Sequence, residues 1–309
     1  MSELQNIAGN CVGVEVGKKS MTAVCMNAGG EVTGVQTAEV SFAEPSSSQL
    51  IYFISSLKSS FGEFKRVGVA VPGLVDRDAK KVAFSSHIPE HSGMDLGAEI
   101  ETATGMQAYI ENDANAAAYA EFRLGAGRGS ENMFYATLGL GVGGSFIFSG
   151  EIWRGAGGFA GEFGYVPIDE EGTRLEDVAS SPNIVRRTRS RFHQDSTSSL
   201  VDLDEHAITI ADIVAAANAE DDFARLMLER TGSYVGTGIA SVINLLNIER
   251  IVVGGEIMQA RHLVLDAIVE RAKELSFAPS FASTVIVEGE LGSNAAAAGA
   301  ALLACRAQA

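Results

Sequence analysis

The chain of 309 residues carries 23 Lys and Arg against 39 Asp and Glu, a formal net charge of −16. A surface that acidic has no electrostatic basis for tracking a phosphate backbone, which excludes nucleic-acid binding unless a concentrated basic patch exists. With 46% hydrophobic and 20% charged residues the composition is that of a folded globular protein of about two domains.

Residues 1–9 have neither a positively charged region nor a long apolar run, so they do not read as an export signal. Apolar runs then alternate with glycine turns. Cys11–Val16 and residues 21–26 are expected strands, Asn27 to Gly30 a hairpin turn, and residues 31–40 a third strand. Ser46 to Ser48 can cap a helix reaching Phe61, with Ile51, Ile54 and Leu57 on one face. Arg66–Val71 is a buried strand ending at Pro72-Gly73, and residues 95–104 a helix. Residues 107–111 form a short strand that passes into an Ala-rich helix, Asp113–Leu124. This half is an α/β layered pattern.

The chain then restarts. A strand at 132–138, a glycine turn at 139–144, a strand at 145–148 and a turn at Ser149-Gly150 repeat the order of the opening segment, with little residue identity. Helices follow at 176–192, Ile210–Asn218 and 221–246. A strand at 250–253 enters Gly254-Gly255, then come a helix at His262–Leu275, a strand at 284–287 and a closing helix at 294–305. Arg186, Arg187, Arg189, Arg191 and His193, the densest basic cluster, are spaced as the solvated face of a helix. The longest apolar stretch, from Ala295 to Cys305, falls short of the roughly 18 residues of a membrane span. Cys11, Cys25 and Cys305 lack metal-type spacing and read as buried reduced thiols, with the cytoplasm as the default compartment.

Glycine is the unusual component, at 34 residues against 6 prolines, and it points to tight turns and close backbone approach. Three glycine turns each follow an apolar strand: Gly17, the run from Gly139 to Gly144, and Gly254-Gly255. Strand ends of this kind expose backbone N–H groups able to cradle phosphates, although hairpins also use glycine routinely. Asn112-Asp113 lies where a strand enters a helix. There the helix dipole keeps a carboxylate ionised, and a simple capping role is the alternative. Glu162 sits in an otherwise uncharged, glycine-rich run, residues 155–164, where a polyol ligand could supply its partners. Glu176 reads either as a ligand contact or as an exposed first-turn carboxylate. His87, His91, His193, His206 and His262 show no metal spacing.

Taken in order, Val71-Pro72-Gly73-Leu74-Val75-Asp76, Glu111-Asn112-Asp113-Ala114-Asn115, the turn at 138–144, the run at 155–164, Ile251-Val252-Val253-Gly254-Gly255-Glu256 and the segment 291–300 resemble the ROK family (repressor, open reading frame, kinase). The resemblance implies an actin-like ATPase (ribonuclease H-like) fold with two α/β domains, residues 1–118 and 119–293. It implies a central cleft where ATP and sugar meet, and a closing helix at 294–309 that packs back on the first domain. The implied function is an ATP-dependent kinase of glucose or a related, possibly N-acetylated, hexose, active as a cytoplasmic homodimer without membrane or nucleic-acid partners. The alternative is a catalytically weak or inactive sugar sensor. Repressors of the family carry a DNA-binding module ahead of the first strand, whereas ten residues precede Cys11 here.

Carried over by position, Asp113 is the catalytic base, and a free aspartate, with pKa about 3.9, is ionised at neutral pH. Gly73, Asn112, Asp113, Glu162, Tyr165 and Glu176 fall at the sugar. Glu15, Gly17, Lys18, Gly139, Gly141, Gly143, Gly254 and Gly255 fall at ATP, which carries Mg²⁺. Four departures stand out. The first loop reads Glu15-Val16-Gly17-Lys18-Lys19-Ser20 where the family has Asp-x-Gly-Gly-Thr-Lys, and Leu140 replaces a usual Thr. Tyr165 stands at the family's zinc-and-sugar histidine with the zinc cysteines missing, so no structural zinc is expected. His87 stands at an expected Asn.

Overall fold

A computed structural model describes residues 10–27, 29–191, 197–260 and 262–306. His193 lies outside the described residues. The chain divides into two compact units, one of residues 1–128, 152–160 and 293–309, the other of residues 129–151 and 161–292.

In the first unit, β1 (Cys11–Val16), β2 (Ser20–Met26) and β3 (Val32–Glu39) form an antiparallel meander. α1 (Ser46–Ser56) and the single turn α2 (Lys58–Phe61) lead to β4 (Arg66–Val71), the small hairpin β5 (Leu74–Asp76) and β6 (Lys81–Phe84), and α3 (Leu96–Thr104). β7 (Gln107–Asn112) then runs directly into α4 (Asp113–Leu124). The sheet order is β3-β2-β1-β4-β7, with β4 and β7 parallel to β1. On one face Val12, Val14, Val67, Val69 and Ile110 bury against Leu50, Ile54, Leu96 and Ile100 of α1 and α3.

The second unit contains β8 (Met133–Leu138), β9 (Val142–Phe148), β10 (Glu151–Trp153), α5 (Glu176–Ala179), α6 (Ser181–Arg189), α7 (Ile210–Asn218) and α8 (Asp222–Leu246). β11 (Arg250–Gly254), α9 (His262–Leu275), α10 (Ala278–Ala282) and β12 (Val285–Glu288) complete it. Its sheet runs β10-β9-β8-β11-β12, with β8 and β9 antiparallel and β11 and β12 parallel to β8. This is the layout of the first sheet, so the repeat of element order marks a repeated topology. Phe134, Leu138, Ile251 and Val253 pack with Ile239, Ile243 and Ile268 in its core.

The last helix, α11 (Ala295–Arg306), belongs to the first unit and covers the other face of the first sheet. A Cβ on Gly13 would stand 2.0 Å from the Ala297 carbonyl oxygen, and one on Gly68 1.9 Å from that of Ala300. Only glycine lets helix backbone approach strand backbone so closely.

Several expectations are corrected. α4 runs unbroken through position 118, so the units part further on, at Arg128. The helix expected at 176–192 is two, because Ser180 is extended and Pro182 lies in the first turn of α6. The glycine turn shrinks to Gly139–Gly141, since Gly143 and Gly144 pair with Thr137 and Ala136 inside β9. Arg187 of the basic cluster is buried and donates to Thr231 Oγ1 at 2.7 Å, with burial lowering its pKa to about 10. Cys11 and Cys305 form a disulfide across 294 residues because α11 returns to β1, while Cys25 is buried and free.

Candidate functional site

In the first unit the expected residues gather at the C-terminal ends of three adjacent strands. Glu15 on β1 lies opposite Ala70 on β4, Ala70 lies opposite Glu111 on β7, and Val71 pairs with Asn112. Parallel pairing therefore brings Glu15, Gly73 and Asn112-Asp113 to one edge of the sheet. Gly73 adopts φ +121°, and a Cβ there would stand 2.3 Å from the Phe84 carbonyl oxygen.

The capping role falls to Asn112 rather than to Asp113. Asn112 caps α4, its Oδ1 accepting from the Asn115 amide at 3.0 Å. Its Nδ2 donates to the Gly73 carbonyl at 2.9 Å and to Asp113 Oδ1 at 3.0 Å, and the Ala114 amide also donates to that oxygen at 2.9 Å. Asp113 is thereby left at the first helical position, half-buried.

Burial raises the pKa of Asp113 above the ordinary aspartate value, opposed by the Ala114 amide, the nearby His87 and the Asn112 side chain. Ionisation of this carboxyl thus depends on its neighbours rather than coming freely. Glu15 is pushed up to about 7, chiefly by burial and secondarily by the Asp113 carboxylate. Asp113 is thus the electrostatic neighbour of both Glu15 and His87. His87 follows β6 in a segment tied to the site, where Ser85 Oγ donates to the Pro72 carbonyl at 2.7 Å and accepts from the Ile88 amide at 3.1 Å. The first loop is a tight hairpin in which the Gly17 amide donates to the Ser20 carbonyl at 2.9 Å, leaving Lys18 and Lys19 exposed.

In the second unit, the turns at Gly139–Gly141 and Gly254-Gly255 lie side by side because Gly254 pairs with Thr137. The Gly139 amide donates to the Gly141 carbonyl at 2.9 Å, and the Ser181 amide donates to the Gly139 carbonyl at 2.8 Å. Glu176 joins this group, its Oε2 accepting from the Val142 amide at 2.9 Å. Ser181 Oγ donates to Glu256 Oε1 at 2.6 Å across the paired turns. Gly143 stands apart inside β9. Glu162 and Tyr165 are exposed beside the buried Phe163, and the Arg174 guanidinium lies 4.6 Å from the Tyr165 ring centre.

Two features had no reading in the sequence. One is the approach of His87 to Asp113. The other is an ion pair between Arg154 and Glu111, directly beside Asn112; a lone acid in an apolar strand was its only signal. Among the described residues, no group of three or more His, Cys, Asp or Glu is assembled to hold a metal ion. None of their helices is long and apolar enough to cross a membrane.

The sequence profile of the ROK family matches residues 11–307. The glucokinase of Halalkalibacterium halodurans is 31% identical over 83% of each chain. The xylose repressor of Bacillus subtilis is 25% identical over 94% of this chain and 76% of its own. A ROK family glucokinase from Streptomyces griseus, solved in complex with glucose and AMPPNP, superposes with a TM-score of 0.85 at 26% identity, over 96% of this chain and 99% of that one. The two sheets of identical order, the strand-end glycine turns and the match over nearly the whole length agree: the chain belongs to the ROK family and has its actin-like ATPase fold of two α/β domains.

Proposed function

We propose that the protein is an ATP-dependent hexose kinase with Asp113 as its general base. The observation that carries this reading is the Asn112–Asp113 arrangement. Asn112 satisfies the α4 cap and fixes Gly73, so the Asp113 carboxylate is held at a helix N-terminus without being consumed by the cap. A sugar hydroxyl oxygen attacks the γ-phosphorus of Mg·ATP, its proton passes to Asp113, and the bond to ADP breaks. Such transfers have a loose transition state, so positioning and charge neutralisation supply most of the rate. Asn112, Gly73, Glu162, Tyr165 and Glu176 are assigned to the sugar. Glu15, Gly17, Lys18, the turn glycines Gly139, Gly141, Gly254 and Gly255, and Gly143 at the start of β9 are assigned to the nucleotide. Glucokinase relatives support the reading, and the work is assigned to the cytoplasm. A homodimer is part of the proposal, supported by the apolar exposure of Leu245, Leu246, Leu275 and Phe277.

A coupled ADP-release assay across a hexose panel tests the proposal. Turnover of at least one hexose is expected, and Asp113→Ala should lower kcat by about 10²- to 10⁴-fold while sugar binding persists. Sugars that raise the melting temperature without any turnover would replace the kinase with the sensor. Unchanged activity in Asp113→Ala would remove Asp113 as the base.

A further inference from the structure

We propose that Arg154 is a positioning residue for Asp113, acting through the buried carboxylate of Glu111. The inference rests on the assignment of Asp113 as base. Glu111 is 2% exposed and is the strand residue immediately before Asn112. Its Oε2 receives Arg154 Nη2 at 2.5 Å. Its Oε1 accepts from the Asn112 amide at 3.1 Å and from Asn115 Nδ2 at 3.0 Å. Asn112 in turn holds the Asn115 amide, the Gly73 carbonyl and Asp113 Oδ1. One guanidinium therefore anchors the carboxylate that orients both asparagines around the base.

Stability alone does not account for this pair. Taking two charges out of water costs several kcal/mol per ion, and apolar replacements of buried pairs are often neutral or stabilising. Arg154 is also poorly satisfied. Nη1 donates to the Ile152 carbonyl at 3.3 Å, and Nε is buried with no hydrogen-bond partner among the described residues. What the pair supplies is geometry. It also joins the base to the glycine-rich run, because the Arg154 carbonyl accepts from the Ala160 amide at 3.0 Å and Gly155 and Gly158 turn the intervening loop at φ +69° and +83°. All of these residues belong to the first unit.

The test is steady-state kinetics of the full chain carrying Arg154→Met, Glu111→Gln or both. Arg154→Met is expected to lower kcat by about tenfold to a hundredfold, the penalty of a misplaced base, with the sugar KM changing less than kcat. The double variant should be no slower than the slower single variant, since both act through one network. Added guanidinium ion should restore part of the lost kcat in Arg154→Ala. Wild-type kcat in Arg154→Met, or additive losses in the double variant, overturns the inference. If Arg154→Met fails to fold, Glu111→Gln decides alone, and wild-type kcat there overturns it. If the wild-type protein turns over no hexose, the kinase reading falls. Amide hydrogen exchange at Asn112 to Asn115 then decides this one: faster exchange in Arg154→Met by about tenfold sustains it, and unchanged exchange overturns it.

Discussion

Glu15→Gln should stabilise the protein while abolishing its turnover. In an unfolded chain glutamate titrates near 4.5, whereas burial and the Asp113 carboxylate push folded Glu15 to about 7. Between those values the folded state holds a proton that the unfolded state has released, so stability falls as pH rises from about 4.5 to 7 and stays low above that. At 1.36 kcal/mol per pKa unit, the loss approaches about 3 kcal/mol. Because Glu15 keeps some solvent contact, that figure is an upper bound. Glutamine has nearly the same shape and never ionises, so the variant escapes the loss. The gain should be near zero at pH 4.5 and largest at pH 8, where it amounts to a rise in melting temperature of about 5–10 °C.

The assay is thermal unfolding of wild type and Glu15→Gln without nucleotide, at several pH values from 4.5 to 8. The difference between the two proteins isolates this group from the other acids that titrate in the same range. Asp113→Asn removes the second cause of the shift, so it should shrink the gain from Glu15→Gln. A gain that is absent at pH 8, or larger at pH 5 than at pH 8, would refute the assignment of a destabilising buried charge to Glu15. Stabilisation together with loss of turnover is what a site group held against its own solvation preference should show.

Gly68→Ala places a Cβ 1.9 Å from the Ala300 carbonyl oxygen and so pries α11 from the sheet. A destabilisation of about 1–3 kcal/mol or more is expected in denaturant titration, and an unchanged midpoint would contradict the packing described. Thiol titration in denaturant should find one reactive cysteine before reduction and three after it. Because the bond closes a 294-residue separation, reduction should lower stability by up to about 5 kcal/mol on the chain-entropy account.

Much of the fold was legible because its signals are local. α4 spans Asp113–Leu124 as its alanine run and flanking strand predict. α8 begins at Asp222, one residue past the start expected, because Asp221 takes the cap and accepts from the Ala224 amide at 3.0 Å. The failures are of two kinds. One is a local break: the extended Ser180 and Pro182 in the first turn of α6 separate α5 from α6 within a polar, Arg-rich segment. The others depend on tertiary proximity that no spacing encodes. Cys11 and Cys305 meet only because α11 returns to the first strand, and Arg154 meets Glu111 only because residues 152–160 join the first unit. The charge of Arg187 likewise suggested solvent, yet its partner Thr231 lies on a different helix.

The glycines show how one composition signal divides once backbone positions are known. Gly13, Gly68 and Gly299 have no ligand role: each permits backbone contact involving α11, and a Cβ on Gly299 would stand 1.7 Å from the Ala116 carbonyl oxygen. Gly254 and Gly255 are also required by packing, since a Cβ would stand 2.4 Å from the Tyr135 hydroxyl at the first and 2.3 Å from the Leu138 carbonyl oxygen at the second. A Cβ on Gly139, by contrast, would meet nothing closer than Glu256 at 3.9 Å. Gly139 therefore has no steric demand from the protein that explains it, which leaves close approach of a ligand to its backbone as its physical rationale. A Gly139→Ala substitution should accordingly leave the melting temperature nearly unchanged and raise the KM for Mg·ATP. Gly255→Ala should instead destabilise the second unit, because a Cβ at φ +97° is strained and collides with β8. If both variants behaved alike in stability and nucleotide kinetics, this separation of steric from functional glycine would fail.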